Sequence, residues 1–297
     1  MPNGLLLIDK PEGFRSADCV ARVRSAFGKQ VRIGHAGTLD STASGLLILL
    51  LGTATRLSDH VMRLPKRYRA LVRLGTATDT CDYSGRTVFR GDHRNIDETA
   101  FDRALTAFLG WRMQRPPEIS ALKRNGIASH KLARAGQSVN LEPRPVFIQS
   151  IGRVSRLRDG EAEIEVLCGK GTYIRSLVRD LGQRLGCGAH VGALRRLSVG
   201  AFRVEDGQSP EPELADMTLR PAREVGESFH RIVLEDEAER RILQGLSTPL
   251  AGAGRWFSGM VGTEQGLCAE GRETLSFVER LECDGTIFLR PRANIWL

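Results

Sequence analysis

A chain of 297 residues with 41% apolar side chains is long enough for one large domain and a small companion. Its longest apolar run, LLILLL at 46–51, cannot cross a bilayer, and the start, MPNGLLLIDKPEG, lacks the basic leader of a signal peptide, so a cytoplasmic location with no membrane attachment is expected. The net charge is +8, but residues 1–200 carry 32 Lys and Arg against 18 Asp and Glu, whereas residues 201–297 carry 11 against 17.

An excess of cations on one portion is the footprint of polyanion binding, although a solvated Arg-rich surface has the same composition. Arg supplies 37 of the 43 cations, and its planar fork grips phosphate and stacks on bases as an ammonium cannot. The six cysteines are scattered with no CxxC; Cys187 and His190 have a ligand-like spacing but no second pair. Free thiols are expected, with no metal and no cofactor.

GLLLIDK (4–10) reads as a buried strand stopped by the turn KPEG, and ADCVARVRSAFG (17–28) as a helix with Cys19, Val20, Val23 and Phe27 on one face. A glycine-rich stretch, GHAGTLDSTASG (34–45), precedes the LLILLL strand, and a helix is predicted near 54–63. YRALVRLG (68–75) alternates like a strand, TDTCDYSG (78–85) is a polar turn, and RTVFR resumes a strand. Residues 95–110 present Ile96, Phe101, Leu105 and Phe108 at helical spacing. Residues 111–137 hold six cations against Glu118 and carry no lasting apolar stripe, which predicts a basic, irregular arm.

VFIQSIGRVSRL (146–157) and AEIEVLC (162–168) predict a hairpin around RDGE. TYIRSLVRDLGQRLG (172–186) is the clearest helix, striped by Ile174, Leu177, Val178, Leu181 and Leu185. Prolines and acids near 206–228 place a domain boundary, giving domains 1–228 and 229–297. The second, with 8 basic and 10 acidic residues, reads as one helix (235–245) followed by short strands, GLCAEG, TLSFVERLEC and TIFLRP.

Four side chains are candidates for chemistry, each with an ordinary alternative. Asp40 is a lone acid among small residues, placed to cap or close a turn, or to be held against a bulky ligand. Tyr68, opening its strand, is a core tyrosine or a stacking platform. Arg175 falls in the first turn of its helix directly after GKG, where a cation opposes the helix dipole. With Lys170 beside it, Arg175 implies a nearby anion, carboxylate or phosphate, unless it leans into solvent. His35 sits between glycines, either satisfied in a turn or free to contact a base or phosphate. The GKGT at 169–172 does not complete a phosphate-binding loop, since Ile164 and Gly171 occupy its required glycine and Ser/Thr positions.

KPEGFRS (10–16), RIGHAGTLDSTASGLLIL (32–49), KRYRALVRLGTATDTCDYSG (66–85) and CGKGTYIRSLVRDLGQRLGCGAHVGALRRLSVG (168–200) together resemble the bacterial family of tRNA pseudouridine-55 synthases, tRNA pseudouridine synthase B. The resemblance covers about residues 4–206, with SALK (120–123) in the arm, and weakens over the acidic tail. It implies an α+β fold with a mixed, largely antiparallel central sheet flanked by helices, and a small C-terminal β-rich PUA-like module. It implies an isomerase that converts uridine 55 in the T-loop of tRNA to pseudouridine after flipping the base. By position, Asp40 is the essential acid, and Tyr68 and Arg175 share the catalytic set. His35, Leu194, Lys10, Lys123, Arg124, Lys131, Lys170 and Tyr173 are the implied RNA contacts. The chemistry needs an ionised carboxylate, so Arg175 is predicted to pair with Asp40. The T-stem loop of tRNA is the expected partner, bound by a monomer with no obligatory protein partner.

The sequence departs from the family pattern at Ala36 for Thr, Ser41–Thr42 for Pro–Leu, Arg15 for Thr, and Ile119 and His130 for tyrosines. Two other classes share parts of this pattern: a non-catalytic RNA-binding or tRNA-folding protein, and a guide-RNA-dependent pseudouridine synthase subunit. The tail is expected to serve RNA affinity more than chemistry.

Overall fold

The computed structural model describes all residues except 1, 120–122, 125–126, 129–140, 211–216, 258–266, 273 and 297. In chain order the first half forms β1 (Gly4–Lys10), α1 (Ser16–Phe27), β2 (Ile33–His35), β3 (Ala43–Leu51), α2 (Ser58–Arg63) and β4 (Lys66–Leu74). β5 (Thr76–Thr78), β6 (Thr87–Arg90), α3 (Glu98–Thr106) and β7 (Gly110–Gln114) follow. Two two-residue strands, β8 (Lys123–Arg124) and β9 (Ile127–Ala128), pair with each other. β10 (Arg144–Arg153), β11 (Glu161–Cys168), α4 (Ile174–Arg184), β12 (Ala189–Val199) and β13 (Phe202–Arg203) complete the larger part.

Nine of these strands make one mixed sheet in the order β1-β3-β12-β4-β11-β10-β7, with β2 on β3 and β13 on β12. β12 runs parallel to β3, and every other pairing is antiparallel. The continuous apolar runs of β1 and β3 arise because both faces of this sheet edge are covered. Leu6, Ile8, Leu47, Leu49 and Leu51 pack under α1 with Cys19 and Val23. Leu5, Leu7, Leu46, Ile48 and Leu50 face the opposite way, toward α2. Further along the sheet only one face is helix-covered. Ala70, Val72, Ile164 and Val166 bury against α3 and α4 through Phe101, Leu105, Leu177 and Leu181, and the alternation in YRALVRLG follows from that one-sided burial.

Residues 111–114 depart from the expected irregular arm. They belong to β7, an edge strand paired with β10, where Trp111 packs its ring 5.3 Å from that of Phe147. The sequence shows no stripe there because an edge strand with one exposed face buries too little to need one. Most of the rest of that segment lies outside the described residues.

The C-terminal part has a helix, Asp236–Leu243, and a six-stranded sheet in which the strand Leu267–Glu270 lies between His230–Leu234 and Thr274–Cys283. Its strands are His230–Leu234, Thr248–Pro249, Gly254–Phe257, Leu267–Glu270, Thr274–Cys283 and Thr286–Trp296, labelled β14 to β19 in that order. This sheet does not stand apart energetically. Phe229, Cys268, Leu275 and Phe277 share one buried cluster with Leu46, Ile48, Leu57 and Val61. Removing residues 229–297 would expose that cluster, so the loss would not be confined to RNA affinity.

The seam is closed by His60 of α2, whose ring stacks on Phe277 at 3.5 Å between centroids and 17° between planes. Burial, with Arg63 nearby and Asp59 opposing, lowers the imidazole to about 4. Below pH 4 the ring is charged in folded and unfolded chains alike, and the full cost of burying the charge weakens the fold. Between about 4 and the ordinary 6.5 the unfolded chain holds more protons, so this group makes stability rise with pH. His60→Phe keeps the stacking and removes the titration. Thermal melts across pH 4–6.5 should show a shallower dependence in the variant than in the parent, and equal slopes would contradict this account.

Candidate active site

Asp40 sits in the loop between β2 and β3, in a turn closed by backbone alone, Ala43 N–H donating to the Asp40 carbonyl at 3.1 Å. The side chain is thereby left to project, and it is 41% exposed. The KPEGFRS segment holds this loop from beneath. Ser16 Oγ donates to Leu39 O at 3.0 Å and accepts from Leu39 N–H at 2.9 Å, and Gly13 N–H donates to Ser41 O at 2.8 Å. Gly45, at the start of β3, has φ +105°, and a Cβ there would lie 2.3 Å from Arg196 O. Only glycine therefore lets β3 and β12 approach in parallel beside the loop.

Arg175, in the first turn of α4, is nearly fully buried and reaches the loop from 135 positions along the chain. Its Nη2 lies 2.8 Å from Asp40 Oδ2 and donates to Ile119 O at 3.0 Å. Its Nη1 donates to Thr80 O at 2.9 Å and stands 3.9 Å from Asp82 Oδ2. The anion implied by a cation at a helix N-terminus is thus a pair of carboxylates. Asp82 is itself buried and accepts from Thr80 Oγ1 at 2.6 Å, Ser84 Oγ at 2.6 Å and Ser84 N–H at 3.1 Å. Burial pushes its carboxyl up, but those hydrogen bonds and Arg175 outweigh burial and hold it below the usual range.

Asp40 and Arg175 open onto a cavity of about 720 Å³. Tyr68, Leu194, Lys170 and Tyr173 line it too, so six of the sequence-derived site residues share one wall system. Its cations, Arg63, Lys66, Arg144, Lys170, Arg175 and Arg196, outnumber its carboxylates, Asp40 and Asp59, an arrangement suited to a polyanionic ligand entering around one acid. Burial raises the Tyr68 phenol above its ordinary value, with Arg196 opposing, so the hydroxyl keeps its proton at neutral pH.

Two expected contacts fall elsewhere. Lys10 is completely buried, and its ammonium donates to Pro11 O at 2.8 Å and Phe14 O at 2.7 Å. It is a fixture of the turn under Asp40, with its ammonium on backbone carbonyls and outside the cavity lining. His35 ends β2 outside the cavity lining; burial and Arg196 lower its pKa, and its buried Nδ1 has no hydrogen-bond partner among the described residues. The side chains of Lys123 and Arg124, and all of Lys131, lie outside the described residues.

The sequence reading missed Lys66, Arg196 and Asp82. Lys66 donates to Met62 O at 2.5 Å and Leu64 O at 2.6 Å, tying the end of α2 to the Tyr68 strand, and burial lowers it to about 7. Arg196 donates to Leu46 O at 2.6 Å and Gly37 O at 3.1 Å. Strand parity was the available signal, since Lys66 lies two residues before Tyr68 and Arg196 two after Leu194, each on the inward face.

Residues 24–174 match the family model described as "TruB family pseudouridylate synthase (N terminal domain)", and residues 175–239 match "tRNA pseudouridylate synthase B C-terminal domain". The chain belongs to the TruB family of pseudouridylate synthases. It is therefore an isomerase that forms pseudouridine in tRNA. Relatives named tRNA pseudouridine synthase B include that of Corynebacterium aurimucosum, 35% identical over 97% of each chain. Those of Ruegeria pomeroyi and Cereibacter sphaeroides are 41% identical over 82% of each chain and 44% identical over 70% of this chain and 68% of theirs. Among solved structures, a chain of a Cbf5–Nop10–Gar1 complex superposes with a TM-score of 0.72 at 23% identity, covering 98% of this TruB family member and 84% of that chain. That likeness establishes the shared fold.

Proposed function

We propose that this isomerase converts uridine 55 in the T-loop of tRNA to pseudouridine, with Asp40 as its essential residue and the target base flipped into the 720 Å³ cavity. The observation that carries the reading is the Asp40–Arg175 pair at 2.8 Å on the wall of a cation-rich cavity that also holds Tyr68.

In the reaction the C1′–N1 glycosidic bond breaks, the uracil turns, C5 bonds to C1′, the C5 proton leaves and N1 gains one. Atoms and oxidation state balance within the nucleotide. Arg175 keeps the Asp40 carboxylate oriented toward the sugar, which it serves as nucleophile or as base. Tyr68, protonated at neutral pH, stacks on the uracil and offers its hydroxyl for proton transfer. Extruding the base costs a few kcal/mol, offset by stacking and hydrogen bonding in the cavity. Lys170 and Arg144 face the flanking phosphates. His35, whose Nδ1 has no hydrogen-bond partner among the described residues, fills the space the base vacates.

The test is to treat unmodified tRNA with this chain alone and map the modified uridines. Modification at position 55, with tritium released from 5-³H-uridine, is the expected result. Binding without release would mark an RNA-binding protein, and release only with an added guide RNA would mark the guide-dependent class.

A further inference from the structure

We propose that Thr42 is a positioning residue whose hydroxyl, by tying the Asp40 loop to Asp82, supplies the rigidity that this chain lacks by having Ser41–Thr42 after its essential acid. The inference rests on the reading of Asp40 given above.

A proline directly after Asp40, as the resembled family usually has, would fix the turn through its ring. Ser41 leaves that dihedral free, and a leucine at 42 could donate no hydrogen bond. In this chain Thr42 Oγ1 donates to Asp82 Oδ2 at 3.1 Å, across 40 positions of sequence. Asp82 suits an anchor because its other oxygen, Oδ1, accepts from two hydroxyls and a backbone N–H. The same Oδ2 faces Arg175, which in turn holds Asp40.

The links close a circuit in which the residue two positions after Asp40 and the carboxylate of Asp40 itself are referred to one buried acid. An outer link joins the turns on either side of the loop: Tyr83 of TDTCDYSG donates its hydroxyl to Glu12 of KPEG. Gly13, next to Glu12, holds Ser41. Thr42 does not line the cavity, so it acts through Asp40 and not on the substrate. Small misplacement of a reacting group is costly, on the order of a hundredfold for about 1 Å. Losing one of several tethers is expected to cost less.

The experiment compares Thr42→Val, which keeps the shape and removes the donor, with Thr42→Ser, which keeps the donor, and with Asp40→Asn, on 5-³H-uridine tRNA. Thr42→Val is expected to lower kcat about tenfold, with KM within about twofold of the parent and an unmoved thermal midpoint. Thr42→Ser is expected to return kcat to within about twofold. Parental kcat in Thr42→Val beside an inactive Asp40→Asn would overturn the clamp and leave the role of Asp40 standing. A fall in kcat that tracks a fall in thermal midpoint, or that Thr42→Ser does not reverse, would reduce Thr42 to a general stabiliser and overturn the proposal. An active Asp40→Asn would remove the underlying reading itself.

Discussion

Asp40→Asn is expected to abolish tritium release, with turnover down at least about 10⁴-fold, while tRNA affinity stays within about tenfold, roughly 1.4 kcal/mol. Asn has the same size and its amide oxygen still accepts from Arg175, so the loop keeps its place. What disappears is the charge, and a neutral amide is neither a nucleophile toward C1′ nor a base. The cations of the cavity wall are untouched, so binding has no reason to weaken. The stability cost is that of trading a charge-assisted hydrogen bond for a neutral one at a partly exposed site, about 1 kcal/mol. Measured turnover and filter binding on the same preparation separate the terms. Turnover near the parental rate would remove Asp40 from the chemistry, and affinity lost in step with turnover would make it a binding residue instead.

How far the sequence anticipates this site depends on the range of each interaction. β1, β3, β4, the β10–β11 hairpin and α4 were readable because apolar spacing reports burial directly. Asp40, Tyr68 and Arg175 stood out from their local settings and gained their roles from the motif resemblance, Leu194 came from the resemblance alone, and the structure brings all four to one cavity. No local rule links Thr42 to Asp82 or Arg175 to Ile119, since these partners lie 40 and 56 positions apart and meet only in the folded chain. Buried cations were the weakest point. A lysine reads as surface by default, yet Lys10 and Lys66 are enclosed because backbone carbonyls satisfy their ammonium groups. Arg175 uses the backbone carbonyl of Ile119, which a residue of any type at that position would provide.

Arg175→Lys tests the fork and not merely the charge, and it is expected to lower kcat by about 10²–10³-fold with tRNA affinity little changed. The guanidinium serves two directions at once, Nη2 toward Asp40 and Ile119 O, Nη1 toward Thr80 O and Asp82. An ammonium is a single point. If it settles beside Asp40 it abandons Asp82, and if it drops toward Asp82 the Asp40 carboxylate loses its only observed ion pair among the described residues. In either placement one carbonyl that accepted from Arg175 is left without its donor in a buried site, at about 1–3 kcal/mol. A fall in thermal midpoint is therefore expected as well, and kcat must be read well below it. Arg175→Met removes the charge entirely and should be worse on both counts, because Asp82 is left buried with its hydroxyl donors but no cation. Asp82, whose carboxyl is held low in the fold, adds stability above its ordinary range near 3.8 and loses it as the pH falls. Part of that contribution comes from Arg175, so thermal melts of Arg175→Met should fall less steeply with acid than the parent. Parental kcat in Arg175→Lys would show that one positive charge suffices to hold Asp40. The geometry of the fork would then be incidental to the chemistry, and with it the circuit through Asp82.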